Sequence, residues 1–390
     1  MHTTLESAGS WVNYFSIIPD PRIDRKKKYL LVEILLSSVC ALLCGAESFI
    51  EIAVYSKNME QWLREKMGLK LENGIPSHDT YRRVFELMDP DAFRKVFIEW
   101  AESLRPLASG EIISIDGKAL RATRKDGKEH SAIYMVTAWA SEAGISLGQM
   151  KCHEKSNEIT ILPPLIELLN VKGSVVTIDA AGCQTKIVDK IREKQGDYVI
   201  AVKGNQKILS KNIKNIFSQF DLQDEKNKRA TNYISSEKTH GRYDERIYTT
   251  IKESDAKKLG FLNTFSPWKD LNTITRVVSN RCSSAGRIVH TTRYYMSSLT
   301  SKAEAIAKII RNHWNVENQL HWSLDVTFRE DQCTIRTGHA TENFSMIRRL
   351  ILNLLKQDKS KNSIRGKRKL CGWNPDFAFQ VLMNGVTASF

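Results

Sequence analysis

Three carboxylates stand out by where they fall. Ser-Ile-Asp-Gly at 114–117 and Thr-Ile-Asp-Ala at 177–180 each close a short apolar run with an aspartate, Asp116 and Asp179, followed by a small residue. Either aspartate alone reads as a turn former, since Asp-Gly is common loop chemistry. Together they say more, because a carboxylate at the rim of a buried sheet must be desolvated, paired or metal-bound. Neighbouring strands would hold the two acids ~5 Å apart, where like charges repel unless a cation bridges them. The third acid is Glu317. A helix from Lys302 past Leu324 carries the stripe Ile306, Ile310, His313, Glu317, Leu320 and Leu324, spaced for one face. An unpaired carboxylate on that face is costly, so something cationic is expected to meet it. His313 and His321, four residues to either side, are local candidates; a metal shared with Asp116 and Asp179 is the other. Asp325 is the rival third acid, and Glu317 is preferred as nearer the centre of the stripe. Three such acids suit two Mg²⁺ (or Mn²⁺) ions, which take carboxylate and water oxygens. Two ions about 4 Å apart activate an attacking oxygen and stabilise a leaving one in an in-line displacement. That is phosphoryl-transfer chemistry.

The elements that must position these residues follow from texture. Residues 10 to about 105 read as helical. The run Leu30–Ala46 imitates a membrane span but is short and carries Glu33, so a buried helix is expected. Ser77-His78-Asp79-Thr80 offers N-caps for a helix with Tyr81, Arg82, Arg83 and Phe85. This small helical part fits a DNA groove or a packing cap equally well. Strands are expected at 112–116, ending in a Gly117-Lys118 turn, and at 132–140 and 145–151. A helix at 158–170, a strand at 174–179, a helix at 186–194 and a strand at 198–202 follow. This is a mixed α/β sheet with helices packed on it. From Gly204 to Thr300 the polar, alternating pattern reads as a β-rich insertion. Helices at 302–324 and 341–355 precede a basic tail.

Composition sets the class. The 390 residues are 42% hydrophobic and 26% charged, and 58 Lys+Arg against 44 Asp+Glu leave +14. Such a length points to two or three domains, and such a surplus to an anionic partner, nucleic acid first. The seven cysteines form no C-x-x-C, which argues against a zinc ribbon and for reduced cytoplasm. A secretory leader is not expected. Lys118, Arg121 and Arg124 after the first acid are candidates for DNA phosphates, as are Lys203, Asn205 and the tail's Arg365, Lys367 and Arg368. Glu158 is a possible extra carboxylate near the metals, or simply a first-turn helix acid. Gly144-Ile145-Ser146-Leu147-Gly148 matches the esterase elbow but enters a strand, where that motif has no function.

In combination, several motifs make the sequence resemble the DDE transposases of bacterial insertion sequences, in the group that includes the H-repeat-associated proteins of Rhs elements. They are Gly-Ile-Pro-Ser-His-Asp-Thr at 74–80, Ile-Asp-Gly-Lys at 115–118, Glu-Lys-Ser-Asn-Glu-Ile at 154–159 and Thr-Ile-Asp-Ala at 177–180. Gly-Cys-Gln at 182–184, Val-Lys-Gly-Asn-Gln at 202–206, His-Gly-Arg at 240–242 and the long run Ile310 to Val326 complete them. The resemblance implies an RNase H-like core with Asp116, Asp179 and Glu317 as catalytic metal ligands, a β insertion before the last helix, and DNA contact by residues such as Arg242. Many relatives place Tyr and Arg before the glutamate and a basic residue after it; here those positions are Ile310, His313 and Leu324. The expected domains are a helical 1–108, a core of 109–204 and 301–356, an insertion 205–300 and a tail 357–390. The implied activity is metal-dependent strand cleavage at element ends and strand transfer into target DNA, by a homodimer bound to double-stranded DNA. The alternatives are a catalytically silent DNA-binding relic, a nuclease without strand transfer, and a protein anchored in a membrane by residues 30–46.

Overall fold

The computed structural model describes residues 11–105, 110–124, 132–152, 158–223, 230–239, 242–261, 264–282 and 288–386. Helices are labelled α1 (Leu31–Leu43), α2 (Phe49–Asn58), α3 (Glu60–Glu65), α4 (His78–Leu87), α5 (Pro90–Ser103), α6 (Glu158–Leu168) and α7 (Thr185–Glu193). After them come α8 (Lys207–Gln223), α9 (Glu253–Lys258), α10 (Ala303–His313), α11 (Trp322–Phe328), α12 (Ala340–Gln357), α13 (Ile364–Trp373) and α14 (Pro375–Asn384). Strands are β1 (Ile112–Leu120), β2 (Ile133–Ala140), β3 (Ile145–Cys152), β4 (Val175–Ile178) and β5 (Asp197–Val202). They continue with β6 (Ala230–Thr239), β7 (Arg242–Lys252), β8 (Thr273–Cys282) and β9 (Ile288–Ser297). The chain forms two compact units, and the division falls inside β1, between Asp116 and Gly117.

One unit comprises Ala108–Asp116 and Glu158–Val316. Ile-Ile-Ser-Ile, Val-Val-Thr-Ile and Tyr-Val-Ile-Ala-Val are largely apolar, uncharged runs, the signature of parallel strands covered on both faces. β1, β4 and β5 are accordingly parallel neighbours. β9 then runs antiparallel to β5, and β8, β7 and β6 continue the sheet antiparallel. The expected β-rich insertion is therefore not a separate layer, and it opens with a long helix, α8. The apolar side of α10, Ile306, Ile309 and Ile310, packs with Ile112, Val175, Val199, Tyr248 and Val277 in one buried cluster.

The other unit gathers Met1–Leu107, Gly117–Asn157 and Glu317–Phe390. Its axis is α12, buried from Ala340 to Leu355, which packs on α1, α4, α5, α11, α13, α14 and β3. The N-terminal helices thus share a core with the C-terminal ones, where the sequence had suggested a separate domain 1–108 and a tail at 357–390. A helix buried all round needs partners on every side, and both chain ends supply them. α1 fills the apolar run at 31–43; among the described residues no helix is long and apolar enough to cross a membrane. β2 and β3 form an antiparallel hairpin, so the G-x-S-x-G match lies in a turn and strand, not at an elbow. No disulfide links any of the seven cysteines.

Two local expectations need correction. Gly117-Lys118 is not a turn, because β1 runs on to Leu120. The glycine answers to packing: a Cβ there would sit 2.2 Å from the Tyr134 ring. The helix expected over 302–324 is also not continuous. α10 stops at His313 and a π-helical turn spans Val316–His321. Such a turn holds more residues than an α-turn, so four-residue spacing keeps Val316, Leu320 and Leu324 buried. Glu317, three residues before Leu320, swings out and is exposed.

Candidate active site

The register pairs Ile112 with Val175 and Ile115 with Ile178 across parallel β1 and β4. Asp116 and Asp179 each follow the last registered pair: Asp116 lies within β1, which runs on to Leu120, and Asp179 is the first residue after β4. Both are half-buried. Two residues back on each strand, Thr177 donates to Ser114 (3.1 Å), and Thr177 Oγ1 also lies 3.0 Å from His313 Nδ1 at the end of α10. Burial pushes His313 down to about 4, against the opposing pull of the Asp179 charge; it is a neutral imidazole at neutral pH.

The turn after Asp179 is built to hold the acid. Asp179 caps a short 3-10 helix, its Oδ1 accepting from the Ala181 N–H at 2.8 Å. From beyond β5, Asn205 Nδ2 donates to the Ala180 carbonyl (2.6 Å) and Gln206 Nε2 to that of Cys183 (2.7 Å). Asn205 is therefore tied to the backbone beside the acid, while the neighbouring Lys203 is exposed. Glu158 is buried at the start of α6.

In the other unit, the residues after the first acid turn inward. Lys118 is buried and its ammonium meets Asp325, Glu330 (3.3 Å) and Asp331 (3.8 Å). Glu330, fully buried, also accepts from Arg349 (2.8 Å) and Ser345 (2.8 Å). Burial alone would raise the Glu330 carboxyl, but Arg349 and Lys118 hold it well below the usual range. Burial raises Asp325, against the pull of Lys118, and lowers His321 to about 3, with Lys118 and Arg349 adding to the effect. Asp325 is thus a lysine partner, and Lys118 is committed to this network instead of facing phosphate. The need for a cation to meet Glu317 also lapses, since that carboxylate is solvated.

The remaining basic candidates divide. Arg121 is exposed and 3.4 Å from Asp331; the Arg124 carbonyl accepts from Arg336 (3.4 Å). Arg365 is exposed. Lys367 is buried and pairs with Asp358 (3.2 Å), and the Arg368 guanidinium donates to the carbonyls of Leu42 (3.1 and 3.0 Å), Ala46 (3.1 Å) and Thr327 (2.5 Å). Those two basic residues staple the fold. The side chain of Arg242 and the residues His240 and Gly241 lie outside the described residues, as do 153–157.

A polar stripe on α12 was not among the sequence expectations. Glu342 pairs with Arg94, Ser345 and Arg349 bind Glu330, and Asn353 exchanges two bonds of 2.8 Å with the Ser146 backbone. Positions 342, 345, 349 and 353 recur at helical spacing, a signal that was present. Among the described residues no three His, Cys, Asp or Glu side chains are gathered closely enough to hold a metal ion. Asp116 and Asp179 nonetheless offer the hard oxygen donors Mg²⁺ takes, and that ion is commonly held by one or two carboxylates with water and substrate phosphate completing its shell.

The sequence motifs around these acids belong to a recognised class. Residues 108–354 match the family described as Transposase DDE domain, and residues 12–101 match its companion, DDE_Tnp_1-associated. The chain belongs to the DDE transposases. Among its relatives, "Putative transposase YncI" of Escherichia coli O157:H7 is 38% identical over 384 residues, 96% of this chain and 95% of that one. "H repeat-associated putative transposase YhhI" of Escherichia coli K12 is 38% identical over 375 residues, 95% of this chain and 97% of that one. A solved piggyBac transposase synaptic complex with hairpin DNA aligns over 98% of this chain and 78% of its own at a TM-score of 0.37 and 11% identity, too slight a likeness to argue from.

Proposed function

We propose that this transposase cleaves DNA strands at the ends of its element and joins them to target DNA, with Asp116, Asp179 and Glu317 as its catalytic acids. The observation that supports the reading is the β1–β4 register, in which Asp116 and Asp179 each follow the last paired residues, Ile115 and Ile178, of two parallel strands. Two divalent ions, when bound, would activate the attacking oxygen and stabilise the leaving one. Asp116 and Asp179 supply negative charge and oxygen donors. Asn205, Gln206 and the Ala181 N–H fix the loop that aims Asp179. His313, kept neutral, adds no charge to compete for those carboxylates. Glu317, solvated in the free protein, is the acid with freedom to turn towards substrate. The +14 charge favours a polyanionic substrate, and joining two element ends calls for two protomers on DNA.

The test is strand cleavage of duplexes carrying the element ends, in Mg²⁺ and in Mn²⁺. Asp116→Asn, Asp179→Asn and Glu317→Gln are each expected to lower cleavage by at least ~10²–10³-fold, the scale of losing one charge-stabilising group, with end binding nearly unchanged. Full activity in Glu317→Gln with loss in Asp325→Asn would move the third role to Asp325. Tight end binding without cleavage by the wild-type chain would make it a silent DNA-binding relic, and cleavage without joining a nuclease.

A further inference from the structure

A pocket of about 340 Å³ opens in the helical unit, lined by residues of α11, α13 and the turn after α1. Its size is within the range of specific ligand sites. Four of its lining residues are cationic, Arg329, Arg365, Arg368 and Lys369, against one carboxylate, Glu47. Glu47 is shared between Arg368 (3.4 Å) and Arg329 (3.7 Å), and the Arg368 donors are largely consumed by backbone carbonyls, so that residue forms the floor. Arg365 and Lys369 are exposed, and among the described residues neither has an ion-pair partner. They lie at i and i+4 on α13, and Trp373 follows at i+8, which sets all three on one helix face. Trp373 is 73% exposed, with the Lys369 ammonium 6.0 Å from its ring centre. α13 can lie this close to the end of α1 because Gly372 has no side chain: a Cβ there would be 2.8 Å from the Cys44 carbonyl.

A large aromatic ring left in water beside unspent cations has a specific use. Single-stranded nucleic acid is held by cations along its backbone and by aromatic rings on which bases stack, whereas in a duplex the base faces are already covered. A polyglutamate-like acidic peptide would use the cations but has no flat ring to cover the indole. We propose that this pocket binds a short single-stranded segment of DNA, with Arg329, Arg365 and Lys369 on its phosphates and an unpaired base on Trp373. The assignment rests on the transposase reading for its choice of DNA, and it is tested apart from cleavage.

The measurement is equilibrium binding of a labelled decathymidylate to the full chain, with a duplex of equal length, inorganic phosphate and polyglutamate as competitors. Trp373→Ala is expected to weaken single-strand binding about 5- to 150-fold, the range for losing one base stack, and Trp373→Phe to retain most of it. Arg365→Glu with Lys369→Glu should weaken it further and flatten the logarithmic salt dependence by ~0.7 for each phosphate no longer neutralised. All these side chains are exposed, so thermal melts are expected to match wild type. Unchanged single-strand binding in Trp373→Ala would overturn the proposal, as would an equal loss for duplex and single strand. Competition by polyglutamate or phosphate as effective as by oligonucleotide would reduce the pocket to a general anion site and overturn it too. Asp116→Asn separates the two readings: it should abolish cleavage and leave decathymidylate binding intact.

Discussion

At the scale of single residues, chemistry here is set by what surrounds each titratable group. His313 is ordinarily half-protonated near 6.5 but is held at about 4 by burial. Above pH 6.5 folded and unfolded chains both carry it neutral. As the pH falls below 6.5 the unfolded chain takes up a proton that the folded one refuses, so stability drops by up to ~1.4 kcal/mol per pH unit until about pH 4. His313→Gln should therefore lose less stability than wild type between pH 6.5 and 5, seen as a smaller shift of the urea midpoint; equal shifts would mean the imidazole titrates normally. The acids themselves were legible because two apolar runs end alike. What was not legible was the reason for Gly117, since the ring that requires it belongs to Tyr134, well beyond any local pattern that could announce such a neighbour.

Among the elements, α12 shows how a buried helix accommodates charge. Arg349 and Lys118 reach Glu330 from separate segments, and Ser345 completes the shell. Removing the anion leaves the buried Arg349 without its carboxylate, while Lys118 keeps Asp325 and Asp331; breaking a comparable buried pair costs ~3–5 kcal/mol. Glu330→Gln should accordingly lower the denaturation midpoint far more than Asp331→Asn at the rim, and a difference below ~1 kcal/mol would show the network to be slack. Period in the sequence marks the five strands before Gly204 and the two helices among them, because burial on one face repeats at 2.0 or 3.6 residues, but it offers only a basic tail where α13 and α14 stand. The period misleads at 314–321 for the same reason: a π-turn changes it, so 3.6-residue spacing points to Glu317 where Val316 is the buried residue. α8 was missed because its moderate amphipathicity sits at the start of a stretch dominated by polar strands.

For the whole molecule, the charge surplus makes a collective prediction. If about six to ten phosphates are neutralised, affinity for element-end duplex should fall ~10³–10⁵-fold between 50 and 200 mM salt; a flat response would remove electrostatics as the main source of binding. The α/β class, the mixed sheet and the family were all recoverable from the sequence. The division into units was not, because it joins residues near both ends of the chain, and composition along the chain carries no trace of which distant segments will meet.

That division has a consequence for synthesis. The helical unit starts first, at the N-terminus, yet its third segment begins only at Glu317, whereas every residue of the strand-rich unit has been made by Val316. On the ribosome the unit begun first is thus the last able to close, and until α12 emerges the apolar sides of α1, α4 and α5 wait without their partner, the kind of exposure that recruits chaperones. A frameshift or stop codon anywhere before residue 317 removes α12 altogether. A copy ending at Val316 would keep every residue of the strand-rich unit while leaving the N-terminal helices without the α12 they pack on.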